Sequence, residues 1–321
     1  MKNFLILLLC SILTASCTTQ KKHSEPTLTV TIEPLRYFTE TIVGDKFKVV
    51  SMVPDGTSPE TYDPTPQQLV ALAKSTAYLQ IGHIGFEQSW IKKLKENTPH
   101  LPFYDTSKGI NLIYSSCGHN HSTDSKHHTD SKQSDNKDGH EHADHVHSGV
   151  EPHTWNSTQN AHIIAKNIYE AVSEIDSENA AYYKHRLDSL EQIIDDTHVA
   201  VQNYLANADK HFMIYHPALT YFARDYHLTQ VSIEEAGKEP SPSHLQGLIK
   251  NCKQNGTRII FVQREFDMHN AQLIANEIGV KVVPINPLNY HWKDEMIQIA
   301  KALSRDDANE GNDADLTDSA Q

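Results

Sequence analysis

The stretch ENAAYYKHRLDSLEQIIDDTHVAVQNYL, residues 178–205, carries apolar side chains three and four positions apart along its whole length. The apolar positions are Tyr183, Leu187, Leu190, Ile194, Val201 and Leu205. This spacing predicts one long amphipathic helix that buries a single face. At 1.5 Å per residue the helix is about 40 Å long, which is enough to act as a stiff strut between two lobes.

Strand-like and helix-like segments alternate on both sides of this helix. Strands are predicted at 27–32, 48–53, 77–81, 211–215, 229–233, 258–262 and 281–285. Helices are predicted at 36–43, 67–74, 87–97, 158–175, 219–226, 243–255, 270–278 and 293–303. Alternation of this kind favours βαβ units and parallel sheets. We therefore predict an α/β protein with two similar α/β lobes, each a mainly parallel sheet flanked by helices, joined by a long rigid backbone helix.

Composition and charge limit the classes of ligand that the protein is expected to bind. The chain has 321 residues, 28 Lys and Arg against 41 Asp and Glu, and a net charge of −13. A negative field repels phosphate backbones and favours cations, so we expect no nucleic-acid partner. The 21 histidines exceed what a fold needs, and excess imidazole suggests a metal.

The N-terminus has the pattern of a secretory signal. Lys2 precedes a short apolar run, and the small residues of Thr14-Ala15-Ser16 precede Cys17. This predicts a lipoprotein signal peptide over 1–16, lipidation of Cys17 and a tether over 17–26. A plain signal peptide cut nearby is the alternative. No later run approaches the roughly 20 apolar residues that cross a bilayer, so we expect an extracytoplasmic protein, in the periplasm or at the cell surface, anchored by lipid.

The remaining boundaries follow changes in composition. We predict an N-terminal metal-binding lobe over 27–155, a helical linker over 156–207, a C-terminal lobe over 208–303 and a disordered acidic tail over 304–321. Cys117 and Cys252 could form one disulfide or remain two unrelated thiols.

A low-complexity, His-rich insertion occupies 117–150, where apolar residues are almost absent, so we predict that it is disordered. Its histidines are His119, His121, His127, His128, His140, His142, His145 and His147. Neutral imidazole suits zinc, copper and nickel, so we predict loose, multivalent metal capture by this segment.

A selective site needs ligands on rigid elements, and three proline-containing motifs offer them. They are PDGTSPETYDPTP at 54–66, EPHTW at 151–155 and YHPALTYF at 215–222. Prolines beside Glu60, His153 and His216 stiffen the backbone and hold these side chains outside regular structure.

Taken together with GFEQSW at 85–90, EPSPS at 239–243 and NPL at 286–288, these motifs resemble one known family in order and spacing. It is the ZnuA/TroA-like family (cluster A-I) of zinc and manganese solute-binding lipoproteins of bacterial ABC importers. The resemblance covers 27–303. It implies two α/β lobes on a rigid helix, a metal ion in the cleft between them, and an ABC permease as partner. We expect a monomer.

Carried over residue by residue, the resemblance implies metal ligation by Glu60, His153 and His216. The chain departs from the family where Glu60 replaces a histidine, Asn286 an aspartate and Gln263 a glutamate. Water, Asn286 or another nearby group would fill the fourth position, and His291 is one candidate. We expect Glu87 and Trp90 to support the cleft loop, and His83 to be structural.

The donor set bears on the choice of metal. One carboxylate and two neutral imidazoles leave a charge of +1 on a divalent ion. Manganese favours more oxygen ligands, so the set favours Zn²⁺ over Mn²⁺. Fe²⁺ remains compatible, because two histidines and one carboxylate also bind iron.

Three function classes follow. The first is an extracytoplasmic solute-binding protein that captures Zn²⁺ in the cleft and delivers it to an ABC importer. The second is a zinc buffer or adhesin that feeds no transporter. The third is a metalloenzyme, because two histidines and one glutamate can also form a catalytic zinc site. The chain has no His-Glu-x-x-His motif and no obvious general base, so we expect no enzyme.

Overall fold

The computed structural model of the chain describes residues 25–114, 149–234 and 238–305. The first lobe is a four-stranded parallel sheet in the order β2-β1-β3-β4. Its elements are β1 (Thr27–Val30), α1 (Glu33–Val43), β2 (Lys48–Ser51), α2 (Pro66–Leu72), β3 (Ala77–Gln80), α3 (Gly85–Asn97) and β4 (Phe103–Asp105).

The second lobe repeats this arrangement with a four-stranded parallel sheet in the order β6-β5-β7-β8. Its elements are β5 (His211–Ile214), α6 (Thr220–Asp225), β6 (Thr229–Ser232), α7 (Pro242–Asn255), β7 (Ile259–Gln263), α8 (His269–Ile278), β8 (Lys281–Ile285) and α9 (Trp292–Leu303). In each sheet the first strand lies between the second and the third. Parallel sheets of this order collect ligands beyond the carboxyl ends of the central strands.

Two helices connect the lobes, α4 (Thr158–Ile175) and α5 (Ala180–Leu205), with one 3-10 turn between them. All six apolar positions predicted for the long helix are buried. Helix α1 of the first lobe and helix α9 of the second both pack against α5. The predicted fold class is thus confirmed: two similar α/β lobes share a long backbone helix.

Direct contacts also join the lobes beside this helix. The rings of Phe38 and Trp292 lie 5.1 Å apart, and the hydroxyl of Tyr290 donates to a carboxylate oxygen of Glu40 at 2.6 Å. One continuous core of buried apolar residues runs from the first lobe through the backbone helix into the second. Continuous packing of this kind resists relative movement of the parts that it joins.

Differences from the sequence prediction lie at element ends and in one strand. Strand β4, Phe103–Asp105, was not predicted, because three residues are too few to show an alternating pattern. Helix α3 begins at Gly85, two residues before the predicted start. The domain boundaries stay predictions, although the segment around His153 makes its hydrogen bonds largely to the second lobe.

Several predicted features fall outside the described residues: the signal peptide, Cys17, the eight histidines of the insertion, Cys117 and most of the acidic tail. Cys252 is buried beside Met213 in the core of the second lobe. Among the helices in the described ranges, none combines the length and the apolar character that crossing a bilayer requires.

The backbone helix offers a matched test of its buried face. Val201 is fully buried, whereas Val199 on the same helix is 55% exposed. We expect Val201→Ala to lower the free energy of unfolding by about 1–3 kcal/mol, because it removes buried methyl groups and leaves a cavity. Val199→Ala should change it by less than about 0.5 kcal/mol. Urea denaturation of both variants measures the difference, and equal losses would contradict the predicted packing.

Candidate metal site

Two histidines from distant parts of the chain face each other between the lobes. The Nε2 atoms of His153 and His216 lie 3.2 Å apart, and their ring centroids are separated by 5.0 Å. A tetrahedral zinc ion bound to two imidazoles at 2.0–2.1 Å would place the two nitrogens about 3.4 Å apart. The pair therefore has nearly the separation that one zinc ion requires.

A buried carboxylate holds each imidazole from behind. Glu151 contacts the Nδ1 atom of His153, and Glu234 contacts the Nδ1 atom of His216 at 2.8 Å. A carboxylate at Nδ1 selects the tautomer that protonates Nδ1 and leaves the Nε2 lone pair free for a metal. Both carboxylates thus direct the two Nε2 atoms toward a common point.

These contacts shift the ionisation of the first pair. Burial by itself lowers the pKa of His153, but the negative charge and hydrogen bond of Glu151 outweigh it, so the pKa of His153 is raised. Burial by itself raises the pKa of Glu151, but the charge and hydrogen bonds of His153 reverse this, so the pKa of Glu151 is lowered. The site has a negative field, and such a field favours cations.

His216 follows the end of β5 and is clamped through its backbone. The buried amide of Gln263, the last residue of β7, accepts from the backbone N–H of His216 and donates to its carbonyl oxygen. The ring of Phe266 stacks on the imidazole with an interplanar angle of 17°. These contacts fix both the backbone and the ring plane of His216.

The segment around His153 lies against the second lobe. Glu151 and Asn156 hydrogen-bond to Tyr221 and Ala218 of that lobe, through the carbonyl oxygen of Glu151 and the side chain of Asn156. The indole of Trp155 donates to the carbonyl oxygen of Pro287 at 2.7 Å. His153 is therefore held on the same body as His216.

Glu60 reaches the site from the first lobe, in the loop between β2 and α2. Its Oε2 atom accepts from the backbone N–H of Gly85 at 3.1 Å. Its Oε1 atom is buried and has no hydrogen-bond partner. A Cβ at position 85 would lie 2.8 Å from the backbone carbonyl oxygen of Glu60, so glycine is needed for this close approach. A buried carboxylate oxygen without a donor is costly unless a cation satisfies it.

A small cavity joins these groups. Glu60, His153 and His216 line it together with Ser58, Pro59, Trp155, Ala218, Glu265, Phe266, Pro287 and Leu288. Its free space is about that of one water molecule or one ion. Within the described ranges, no three His, Cys, Asp or Glu side chains already stand close enough to hold a metal. An ion held by the histidine pair and a carboxylate of this cavity therefore requires that carboxylate, Glu60 or Glu265, to approach the pair.

Asn286 does not line this cavity, although the sequence suggested it for the fourth position. Its Oδ1 atom accepts from the backbone N–H of Leu288 at 3.2 Å, and its own N–H donates to Glu295 at 2.7 Å. Asn286 lines a separate cavity beside β7 and β8. His291 is likewise outside the cavity between the histidines and is exposed.

Supporting residues predicted from the GFEQSW motif are seen at the first-lobe side of the cleft. The carboxylate of Glu87 accepts from the backbone N–H groups of Ile81 and Gly82, each at 2.8 Å, and burial raises its pKa to about 7. The indole of Trp90 donates to Asp63 at 2.9 Å. His83 has a left-handed backbone with φ of 64° at the turn before Gly85. These residues shape the loops that carry Gly85 and Glu60.

Sequence reasoning missed three carboxylates. The sequence pattern assigns no role to Glu151, Glu234 or Glu265. Each of the last two follows a predicted strand of the second lobe, and the carboxyl ends of parallel strands are where ligands collect. Their position after predicted strands is therefore the feature of the sequence that could have identified Glu234 and Glu265.

A family model matches residues 28–304, and its description is zinc-uptake complex component A, periplasmic (ZnuA). Among curated proteins, the high-affinity zinc uptake system protein ZnuA of Bacillus subtilis is 26% identical over 298 residues, covering 89% of this chain and 88% of that protein. The zinc-binding protein AdcA of Streptococcus pyogenes serotype M3 is 27% identical over 278 residues, covering 83% of this chain. The chain spans 51% of the length of that relative.

Solved structures show the same fold. A crystal structure of ZnuA superposes with a TM-score of 0.74 at 30% identity, covering 86% of this chain and 97% of the other. The metal-dependent lipoprotein YcdH of Bacillus subtilis superposes with a TM-score of 0.65 at 23% identity, covering 89% and 98%. From the matched family model, the fold and the cleft between its lobes, the chain belongs to the ZnuA family of zinc-uptake solute-binding proteins.

Proposed function

We propose that this protein captures Zn²⁺ in the cleft between its lobes and delivers it to an ABC importer for high-affinity uptake. The observation that carries the proposal is the pair of Nε2 atoms 3.2 Å apart, each imidazole being held at Nδ1 by a buried carboxylate. This pair, with the unpartnered oxygen of Glu60 beside it, matches the chemistry of a zinc ligand set. The names of the zinc-uptake relatives support the same cargo.

The choice of zinc follows from the donor atoms. Two imidazole nitrogens favour Zn²⁺ over Mn²⁺, which prefers oxygen ligands. Fe²⁺ and Mn²⁺ are the weaker cargoes of this site.

The remaining sequence predictions complete the proposal. Cys17 carries the lipid that holds the protein outside the cytoplasm, and the protein acts as a monomer with a membrane permease as its partner. The histidines of the insertion raise the local supply of zinc. We expect no catalytic role, because the chain has no His-Glu-x-x-His motif and no obvious general base.

Removing either imidazole tests the site. We expect His153→Ala and His216→Ala each to weaken zinc binding by at least ~100-fold, because each removes a direct ligand, and loss of an outer-shell partner alone costs about 10–100-fold. Competition against a zinc chelator, with the lipid anchor and the His-rich segment removed, measures the affinity. His185→Ala, an exposed histidine on α5, is the matched control and should bind like the parent. A tight site that survives both cleft changes would contradict the assignment.

Deletion of 117–148 separates the two kinds of binding. We expect the shortened protein to keep one tight zinc site and to lose the additional weaker equivalents, because the ligands of the cleft lie elsewhere. The deletion spares Val150, which pairs with Tyr114 in a β-bridge. Isothermal titration calorimetry with zinc measures the number of tight sites and the number of weaker zinc equivalents. Absence of any tight site in the shortened protein would place the selective chemistry in the insertion.

The alternative is a zinc buffer or adhesin that feeds no transporter. Growth under zinc chelation distinguishes the two, in a strain that lacks this protein and any redundant importer. We expect growth to fail and to recover on added zinc or on expression of the parent protein, but not of the His153→Ala, His216→Ala double variant. Unimpaired growth of the deletion strain would favour the buffer.

A further inference from the structure

Glu265 stands at the carboxyl edge of the second sheet beside the histidine pair. Strands β5 and β7 are hydrogen-bonded neighbours in this sheet. His216 lies two residues beyond the end of β5, and Glu265 lies two residues beyond the end of β7. Both residues line the cavity that also contains Glu60 and His153. The topology thus delivers a second carboxylate to the place where the two imidazoles meet.

The surroundings of this carboxylate leave it available to a cation. Glu265 is partly buried. Burial raises the pKa of Glu265, while the nearby His216 and His153 oppose that rise electrostatically. In the part of the chain that the structure describes, no Lys or Arg forms an ion pair with Glu265. Glu265 is therefore near enough to both histidines to interact with them electrostatically.

Asn286 is less well placed for the same role. It follows β8, and β7 lies between β8 and β5 in the sheet. The amide oxygen of Asn286 is also occupied by the N–H of Leu288. An amide at position 286 therefore supplies neither the charge nor the free oxygen that the ion needs.

We propose that Glu265 is a direct ligand of the bound ion and completes a site of two histidines and two glutamates. The inference rests on the proposed function, because it concerns the same ion. Two carboxylates and two neutral imidazoles give a divalent ion a net charge of zero. Four protein ligands also satisfy the tetrahedral preference of zinc without a bound water.

This ligand set has a consequence for selectivity. A second carboxylate makes the site harder, and hard oxygen ligands suit Mn²⁺ better than imidazole does. The site should therefore prefer zinc while tolerating manganese more than a set with one carboxylate would. The proposed ligands are distributed unequally between the lobes. Glu60 belongs to the first lobe, and the other three lie on or against the second.

The test compares the affinities of the protein for Zn²⁺ and Mn²⁺ separately, using the chain without its His-rich segment. We expect Glu265→Gln to weaken zinc binding ~100-fold and manganese binding more strongly, so that the ratio of the two affinities rises. Glu265→Asp, which keeps the charge, should restore part of the loss. Glu277→Gln on the exposed face of α8 is the matched control and should change neither affinity. Circular dichroism verifies the fold of each variant.

A second measurement does not depend on any variant. A diffraction map of the parent protein with zinc, recorded at the zinc absorption edge, should show an oxygen of Glu265 at about 2.0–2.2 Å from the metal. The inference is overturned if water or Asn286 occupies that position, or if Glu265→Gln leaves both affinities unchanged while Asn286→Ala weakens them. If instead His153→Ala and His216→Ala retain tight zinc binding, the proposed function itself fails, so the two failures are distinguishable.

Discussion

Two imidazoles that face each other at 3.2 Å, each braced by a buried carboxylate, are the arrangement on which the site depends. An imidazole can bind a metal only through a deprotonated nitrogen, and a carboxylate at Nδ1 directs the proton to the far side of the ring. The same carboxylates compensate the loss of solvation that a buried cation suffers. Glu151 and Glu234 therefore support the site by orienting the histidines that they hold, although neither needs to touch the ion.

The scaffold holds these two histidines together although they are far apart in the chain. His153 and His216 are 63 residues apart, and the backbone helices α4 and α5 lie between them. A continuous core fuses both lobes to these helices, so the ends of the sheets and the segment around His153 form one frame. Glu60 is different because it lies on a loop of the first lobe, where its carboxylate accepts a hydrogen bond from the backbone N–H of Gly85. To share an ion with the pair, its carboxylate would have to move toward the two imidazoles.

The structure gives a local role to the two residues, Gln263 and Asn286, that replace acidic residues of the family pattern. Gln263 both accepts from and donates to the backbone of His216, and an ionised glutamate in its place could only accept. Asn286 stabilises its own turn instead of facing the cavity. Two carboxylates named by the resemblance are thus missing at these positions, while Glu60 and Glu265 both line the cavity beside the histidines. Negative charge is therefore still present near the histidine pair.

The sequence by itself determined the fold class. The long amphipathic helix and the alternating strands and helices are visible in the spacing of apolar residues within each segment, without knowledge of its neighbours in space. It also pointed to Glu60, His153 and His216, since their proline-rich motifs are specific in order and spacing. It did not reveal Glu151 and Glu234 as braces, the position of Asn286 away from the cavity, or Glu265 beside the histidines. Those depend on which strands are neighbours and which loops meet at a sheet edge. Strand order is decided by packing between segments far apart in the chain, so only the tertiary structure could settle it.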